Sequence, residues 1–200
     1  MAAPANKTIG DLTGKWIMNK TLSDSTEPAL ALQGIGFLTR KGIGLTTVTL
    51  QVKQYNGPPS PPSTQTGDVV HIDIEQTATG GINGTTENRS IDDTQRGHSD
   101  WLFGDVKARS KWLTAEQLAA VAQEHGEHLG KDWIEDAAEA QGPGGASHVM
   151  NYVESTAGWT AVQIWGFQMI GGERRYARNV LVKKNNKVVE VRLVYDYASE

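Results

Sequence analysis

The sequence predicts an all-β protein, an antiparallel up-and-down β-barrel of about eight to ten strands. Segments in which apolar and polar residues alternate recur along most of the 200 residues. Short turns rich in glycine or asparagine join many of these segments. Both observations describe a meander of consecutive strands, and a meander of this size usually closes into a barrel. The whole chain is therefore expected to form one domain.

The strands are predicted from apolar residues that recur at every second position. In residues 46–55, valine or leucine occupies the alternate positions 48, 50 and 52, and in residues 69–78 valine or isoleucine occupies positions 70, 72 and 74. A strand with one buried face has this period. Further strands are predicted at 13–22, 84–92, 99–111, 147–155, 159–170, 174–183 and 187–197. Gly171-Gly172 and Asn185-Asn186 separate the last of them and suit hairpin turns that need a positive φ.

Three segments interrupt the meander. Residues 27–40 are apolar with a proline near their start, which predicts a short helix after the first strand. Residues 56–67 hold four of the seven prolines and are predicted to form an exposed loop that folding does not require. Residues 114–140 are predicted to be a helical insertion, because Leu118, Val121 and His125 fall at helical spacing.

Composition and charge exclude several classes of function. A formal net charge of −4 argues against a nucleic-acid-binding protein. No cysteine is present, so the chain has no disulfides and no thiolate metal site. His125 and His128 lack a third metal ligand, and no dinucleotide or phosphate-loop motif occurs, so no metal and no cofactor are expected. The absence of a signal-peptide pattern or a membrane-length apolar run predicts a cytoplasmic protein.

The order of elements resembles a known family. Gly14-Lys15-Trp16 on the first strand, a short helix and a closing meander are similar to the lipocalins and their calycin relatives. The chain looks closest to intracellular lipocalin-like proteins, some of which accompany fungal biosynthetic pathways as binding proteins or as cofactor-free enzymes. The resemblance implies that Trp16 plugs the closed end of the barrel and that Arg192 of the last strand packs across its indole.

Five large apolar side chains are candidates for lining a ligand cavity. They are Trp101, Phe103, Trp165, Phe167 and Met169. Barrels of this size can hold one small ligand, and such pockets are commonly aromatic. The alternative is that these side chains only pack the core, because the period of a strand does not say which face points inward.

Four polar residues are tentative catalytic candidates. Tyr176 and Arg178 share one face of a strand, and intracellular fatty-acid-binding proteins hold a carboxylate with such a pair inside the barrel. The alternative places them on an exposed basic edge. His71 and Asp73 share a face of another strand, where they form an acid–base pair if they point inward and an ordinary surface if they point outward.

These features predict that the protein binds a hydrophobic small molecule in the barrel, and the resemblance implies a context of secondary metabolism. The second hypothesis is a cofactor-free isomerase or cyclase of the pericyclase type, acting on a polyketide- or terpenoid-like substrate in the same cavity. Converging buried polar groups would favour the enzyme, and a smooth apolar lining with one carboxylate clamp would favour the carrier. The oligomeric state, a homodimer included, stays open.

Overall fold

The computed structural model describes residues 1–80 and 84–199 and has the predicted barrel architecture. The helices are α1 (Glu27–Leu32), α2 (Phe37–Leu45) and α3 (Ala115–His125). The strands are β1 (Gly14–Met18), β2 (Val48–Gly57), β3 (Val69–Ala78), β4 (Thr85–Ser90), β5 (Arg96–Asp100), β6 (Gly104–Leu113), β7 (His148–Ser155), β8 (Trp159–Ile170), β9 (Glu173–Lys184) and β10 (Lys187–Ser199). Among these described residues, no helix is long and apolar enough to cross a lipid bilayer.

The strands form one antiparallel sheet that curls into a nearly closed barrel. Its order is β4-β3-β2-β1-β10-β9-β8-β7-β6-β5, so β1 joins the first half of the chain to the last strand. Trp16 pairs with Leu50 on one side and with Tyr197 on the other. The barrel has a seam between β4 and β5, which are the two ends of this order and line one cavity together.

The segment predicted as one strand at 99–111 is part of a hairpin of β5 and β6. The Asp100 carboxylate accepts hydrogen bonds from the backbone N–H groups of Leu102 and Phe103, at 2.8 and 2.6 Å. Gly104 then adopts a φ of +68°, which favours glycine. Trp101 and Phe103 therefore lie in a turn and do not share a strand face, because local side-chain hydrogen bonds outweigh the alternating pattern.

The single helix predicted at 27–40 is two helices. Gly34 has a φ of +90° and ends the first helix, and α2 starts three residues later. Ala29 and Leu30 of α1 and Ile43 of α2 line a cavity inside the barrel. The two helices therefore cap one end of the barrel.

The insertion between β6 and β7 is helical only in its first part. Thr114 and Gln117 form a capping box at the start of α3, and Gly126 ends the helix with a φ of +154°. A 3₁₀ turn covers Glu127–Gly130, but the predicted helix in 131–140 is wrong. Trp133 forms a bridge with Gln168 of β8 instead. Leu118, Val121 and Leu129 of the insertion pack on the outside of the barrel, against Met150 of β7, Ile164 of β8 and Leu181 of β9.

Trp16 fills the closed end, as the resemblance implied. Its indole N–H donates to the carbonyl of Leu12 at 2.8 Å, and the rings of Tyr176 and Tyr197 lie at 5.1 and 5.0 Å. Arg192 does not pack on it. Leu193 and Tyr195 are the residues of β10 that line the cavity, so alternation turns Arg192 to the outer face.

The proline-rich loop is largely exposed but it is bonded to the barrel. The Arg96 guanidinium donates to the carbonyl oxygens of Ser60 and Pro61, at 2.7 and 3.3 Å. His71 Nε2 lies 3.0 Å from the carbonyl oxygen of Pro58. The backbone of this loop therefore completes the hydrogen bonding of side chains on β3 and β5.

Candidate functional site

The described residues enclose two adjoining cavities inside the barrel, of about 350 and 180 Å³. The smaller one lies beneath α1 and α2 and is mainly apolar. Its walls include Leu30, Val48, Val180, Val182, Val191 and Leu193. The larger one lies along the seam between β4 and β5 and carries more polar side chains. Glu87, Phe103 and Gln163 line both cavities, so the two are neighbouring parts of one interior.

Arg178 is the central polar residue of the smaller cavity. Alternation along β9 turns Tyr176, Arg178 and Val180 inward, and Arg178 is only 4% exposed. Its guanidinium carbon lies 4.1 Å from the centre of the Trp165 ring, and its Nε donates to the Tyr176 hydroxyl at 2.9 Å. Its Nη2 is buried without a hydrogen-bond partner among the described residues. A buried donor in this state can receive an acceptor from a ligand or from an ordered water molecule.

The groups around Arg178 keep fixed protonation states at neutral pH. Burial raises the pKa of Tyr176 to about 12, although the Arg178 charge lowers it in part. Burial also raises the pKa of Tyr195. Burial would lower the pKa of Arg178, but Tyr176, Tyr195 and Glu87 together raise it. The site therefore presents neutral phenols beside a charged guanidinium.

A second charged pair, which the sequence analysis missed, faces the same interior from β4. Arg89 donates to Glu87 Oε2 from Nε and Nη2, at 3.1 and 2.8 Å. Its Nη1 donates to Asn151 Oδ1 of β7 at 2.6 Å. Arg89 also lies 5.6 Å from the centre of the Trp165 ring, so both guanidinium groups surround one indole. The segment 84–92 is polar on both faces, so its pattern gave no sign of an inward-facing charge.

The structure brings several of the predicted residues together. Tyr176, Arg178 and Trp165 form one cluster, and Phe167 lies deeper, with its ring centre 6.4 Å from that of Trp16. Phe103 lines both cavities. Trp101 lines the smaller cavity at its edge and is 52% exposed. Of the predicted aromatic residues, Phe103 and Trp101 therefore line the cavities, whereas Trp165 and Phe167 belong to the buried core and line neither of them.

Three predicted residues lie away from the interior. Met169 is 58% exposed at the end of β8, beyond the part of the strand that lines the cavities. His71 and Asp73 alternate with Ile72 and Ile74, which are in the core, so both occupy the outer face of β3. His71 is buried there beneath the proline-rich loop, with Nδ1 3.2 Å from the Ser90 hydroxyl. These three residues are therefore not part of the candidate site.

Comparison with known proteins identifies relatives that match along nearly the whole chain. The chain is 30% identical over 196 residues to the probable pericyclase scpY of Mollisia scopiformis, and the match covers 98% of the chain and 94% of that protein. It is 28% identical over 198 residues to the pericyclase pydY of an Acremonium species, covering 98% and 97%. No family model matches the chain.

Solved structures with a similar barrel have low sequence identity. A Schistosoma mansoni fatty acid binding protein in complex with arachidonic acid superposes with a TM-score of 0.52 at 13% identity, covering 94% of this chain and 96% of that one. The wild-type fluorescent protein UnaG gives a TM-score of 0.52 at 13% identity, covering 94% and 97%. These likenesses confirm the predicted calycin-type barrel as a fold.

Proposed function

The chain belongs to the same family as these fungal proteins named as pericyclases, and on that premise we propose that it is itself a pericyclase. It binds a hydrophobic small molecule inside the barrel and promotes a pericyclic ring closure or rearrangement of that molecule. The substrate is a polyketide- or terpenoid-like compound of secondary metabolism, and the protein works in the cytoplasm. Membership of the family and the side chains that line the cavity support this proposal.

A pericyclic reaction moves electrons around a ring of reacting atoms in one step. A protein can help in two ways: it can hold a flexible chain in the folded conformation that reacts, and it can stabilise charge that develops on a conjugated carbonyl group. The first task needs a shaped apolar cavity. The second needs a strong hydrogen-bond donor in a water-poor site, where electrostatic interactions are stronger than in bulk water.

The interior of the barrel offers both features. The apolar walls of the smaller cavity can enclose a hydrocarbon chain, and the buried Trp165 indole supports the Arg178 guanidinium on its face. Arg178 Nη2 is the donor for the carbonyl oxygen, since it is buried and lacks a partner among the described side chains. Tyr176 holds the Arg178 guanidinium in place through its Nε. The unpartnered Nη2 is the observation that carries the assignment of these roles.

The proposal is tested with a flexible trienone such as 1,7,9-decatrien-3-one, whose intramolecular cycloaddition also proceeds slowly in buffer. The wild-type protein should accelerate ring closure and change the ratio of stereoisomers, both measured by chromatography. Arg178→Met should lower the acceleration about a hundredfold, which is the usual cost of losing one donor to a developing oxyanion. The affinity for the neutral dye Nile red should change little, because the apolar walls remain.

Arg192→Met is the matched control, because Arg192 lies on the outer face of the neighbouring strand and should leave the acceleration unchanged. Equal losses in the two variants would contradict the role of Arg178. If the wild-type protein binds Nile red but accelerates no ring closure, for this trienone or for longer polyenones, the pericyclase proposal is wrong. The carrier interpretation would then remain.

A further inference from the structure

Helix α2 presents large apolar side chains to solvent. Phe37, Leu38 and Leu45 are 59, 83 and 86% exposed, and no residue of the helix is buried. At about 100° per residue, these three side chains project within an arc of about 100° on one side of the helix. Single exposed apolar residues are common on protein surfaces, whereas a contiguous group of them marks an interaction surface.

The opposite side of α2 holds the helix on the barrel. Ile43 projects at least about 120° away from each of the three exposed side chains and lines the smaller cavity. Arg40 donates to Glu27 of α1 at 2.9 Å and to the carbonyl oxygen of Ile35 at 2.5 Å. The position of α2 therefore depends on its inner side, and its apolar outer face is free to contact a partner.

Positive charge accompanies this apolar face. Lys41 projects from the middle of it, and Lys20 donates to a carbonyl oxygen of the last helical turn at 2.8 Å. Residues 28–67 contain no aspartate or glutamate, although the whole chain has a net charge of −4. The carboxylates of Asp24 and Asp100, which flank this end of the barrel, accept hydrogen bonds from backbone N–H groups. The surface around α2 is therefore cationic on an acidic protein.

The exposed face adjoins the smaller cavity. Trp101 lies at the edge of this cavity, is 52% exposed and donates its indole N–H to the carbonyl oxygen of Gly84 at 3.3 Å. It follows β5, and α2 precedes β2, so the antiparallel order puts both at the same end of the barrel. A partner seated on α2 and Trp101 would thus lie directly over the cavity that Ile43 lines.

A lipid surface with anionic head groups matches these features. An apolar helix face with lysine side chains is typical of helices that lie in a membrane interface, and tryptophan is enriched there. Lysine can rest its hydrocarbon stem on lipid while its ammonium group meets the head groups. A second copy of the chain fits less well, because a symmetric contact through this face would bring Lys41 towards its own counterpart.

We propose that α2 docks the protein on the surface of a membrane that contains anionic lipids, with Trp101 and the smaller cavity towards the bilayer. Phe37, Leu38 and Leu45 enter the interface, and Lys20 and Lys41 meet the head groups. The inference goes beyond the proposed function, because it holds whatever reaction the cavity promotes. Docking in this orientation brings the cavity to the lipid phase, where hydrophobic compounds concentrate.

Sedimentation with lipid vesicles tests the inference. Vesicles of phosphatidylcholine with 30% phosphatidylserine are compared with vesicles of phosphatidylcholine alone. The wild-type protein should bind the anionic vesicles about tenfold more tightly or better, and added salt should weaken this binding. A protein that only extracts a lipid into its cavity stays in the supernatant, so the measurement reports docking.

Two variants of α2 and two matched controls locate the contact. Leu38→Ser combined with Leu45→Ser should weaken binding about tenfold or more, because it removes apolar area from the interface. Lys41→Glu should weaken binding to anionic vesicles about fivefold or more and change binding to neutral vesicles little. Met169→Ser removes an equally exposed apolar side chain at the other end of the barrel, and Lys53→Glu reverses an exposed charge on β2. Both controls should bind as the wild-type protein does.

The outcomes decide the inference without reference to catalysis. It is overturned if the wild-type protein stays in the supernatant with both kinds of vesicle, or if the folded double serine variant binds as tightly as the wild-type protein. It is also overturned if light scattering shows a dimer that the serine substitutions dissociate while vesicles bind neither protein; the face would then be an interface between two copies. Circular dichroism checks folding, and Lys41→Glu decides should the double variant not fold. A protein that docks but accelerates no ring closure would contradict the proposed function alone.

Discussion

The lipocalin resemblance gave two roles to one tryptophan, which were to fill the closed end of the barrel and to stack against an arginine. In this barrel two different tryptophan residues have these roles. Trp16 fills the closed end among aromatic rings, and no arginine packs on it in the described structure. The stacked arginine occurs instead at Trp165, where the guanidinium of Arg178 lies 4.1 Å from the ring centre. Trp16 therefore supports the fold, whereas the second indole holds a charge inside the cavity.

The different positions of Trp16 and Arg192 predict different costs of substitution. Trp16→Ala should lower the free energy of unfolding by about 3–5 kcal/mol, because it empties a fully buried aromatic site. Arg192→Ala should cost less than about 1 kcal/mol, since its nearest charged partner is the exposed Asp132 at 3.6 Å. Urea unfolding of both variants measures the difference. Similar costs would mean that Arg192 contributes to the closed end after all.

The raised pKa of Tyr176 predicts a loss of stability at high pH. Burial favours the neutral phenol and raises the pKa to about 12 in the folded protein, from a usual value of 10.0. The unfolded chain therefore loses this proton first, so the contribution is fully present below pH 10 and disappears as the pH rises towards 12. Its size is roughly 2–3 kcal/mol.

Urea unfolding at several pH values between 9 and 12 checks this prediction. Tyr176→Phe should lose less stability over that range than the wild-type protein does. Burial raises the pKa of Tyr195 as well. The variant should therefore still lose some stability as the pH rises, with a smaller slope of unfolding free energy against pH. Parallel curves for the two proteins would contradict the assignment of the slope to Tyr176.

Among the structural elements, the proline-rich loop combines exposed side chains, which its composition predicted, with backbone hydrogen bonds, which its composition did not predict. Its prolines predicted exposure, and most of its side chains are exposed. Its backbone nevertheless accepts hydrogen bonds from Arg96 and His71, and Gln65 donates back to the Asp92 carbonyl at 3.0 Å. That folding does not require the loop stays a prediction, but removing the loop should cost stability, because Arg96 and His71 would lose these acceptors.

Replacing residues 58–66 by an Asn-Gly turn should keep the circular dichroism spectrum of the barrel and lower the free energy of unfolding by roughly 1–3 kcal/mol. The loss comes from the contacts of Arg96 and His71 with the loop backbone. Changing the exposed Thr64 and Thr66 to serine provides the control and should leave stability unchanged. An equally stable shortened protein would show that water replaces the loop at no net cost.

At the scale of the whole molecule, one arginine joins the closed end of the barrel to segments far away in sequence. Arg174 of β9 pairs with Glu139 of the insertion and donates to the backbone carbonyls of Pro4 and Lys7, at 3.1 and 2.9 Å. Ile9 of the same N-terminal segment is fully buried in the core with Trp16. The N-terminal segment and the insertion thus both pack against the barrel and help to hold its shape around the cavity.

Local sequence patterns were sufficient to predict most of the fold. Period-two alternation located the strands, glycine and asparagine pairs located the last hairpins, and Gly14-Lys15-Trp16 located the closed end. These features are local: each depends on residues within a few positions of one another, and backbone geometry converts them directly into strands and turns. Tyr176 and Arg178 were also found locally, as neighbours on one face of one strand.

Which strand faces point inward, and which charged side chains meet, became visible only in the folded barrel. The insertion covers the outside of β8, so this strand is buried on both faces and its pattern has no polar side to mark the exterior. Arg89 and Asn151 are 62 positions apart and meet only because β4 and β7 curve around one interior. The period of a strand defines two faces without showing which one points inward, so only the closed barrel shows that Glu87 and Arg178 line the same cavity.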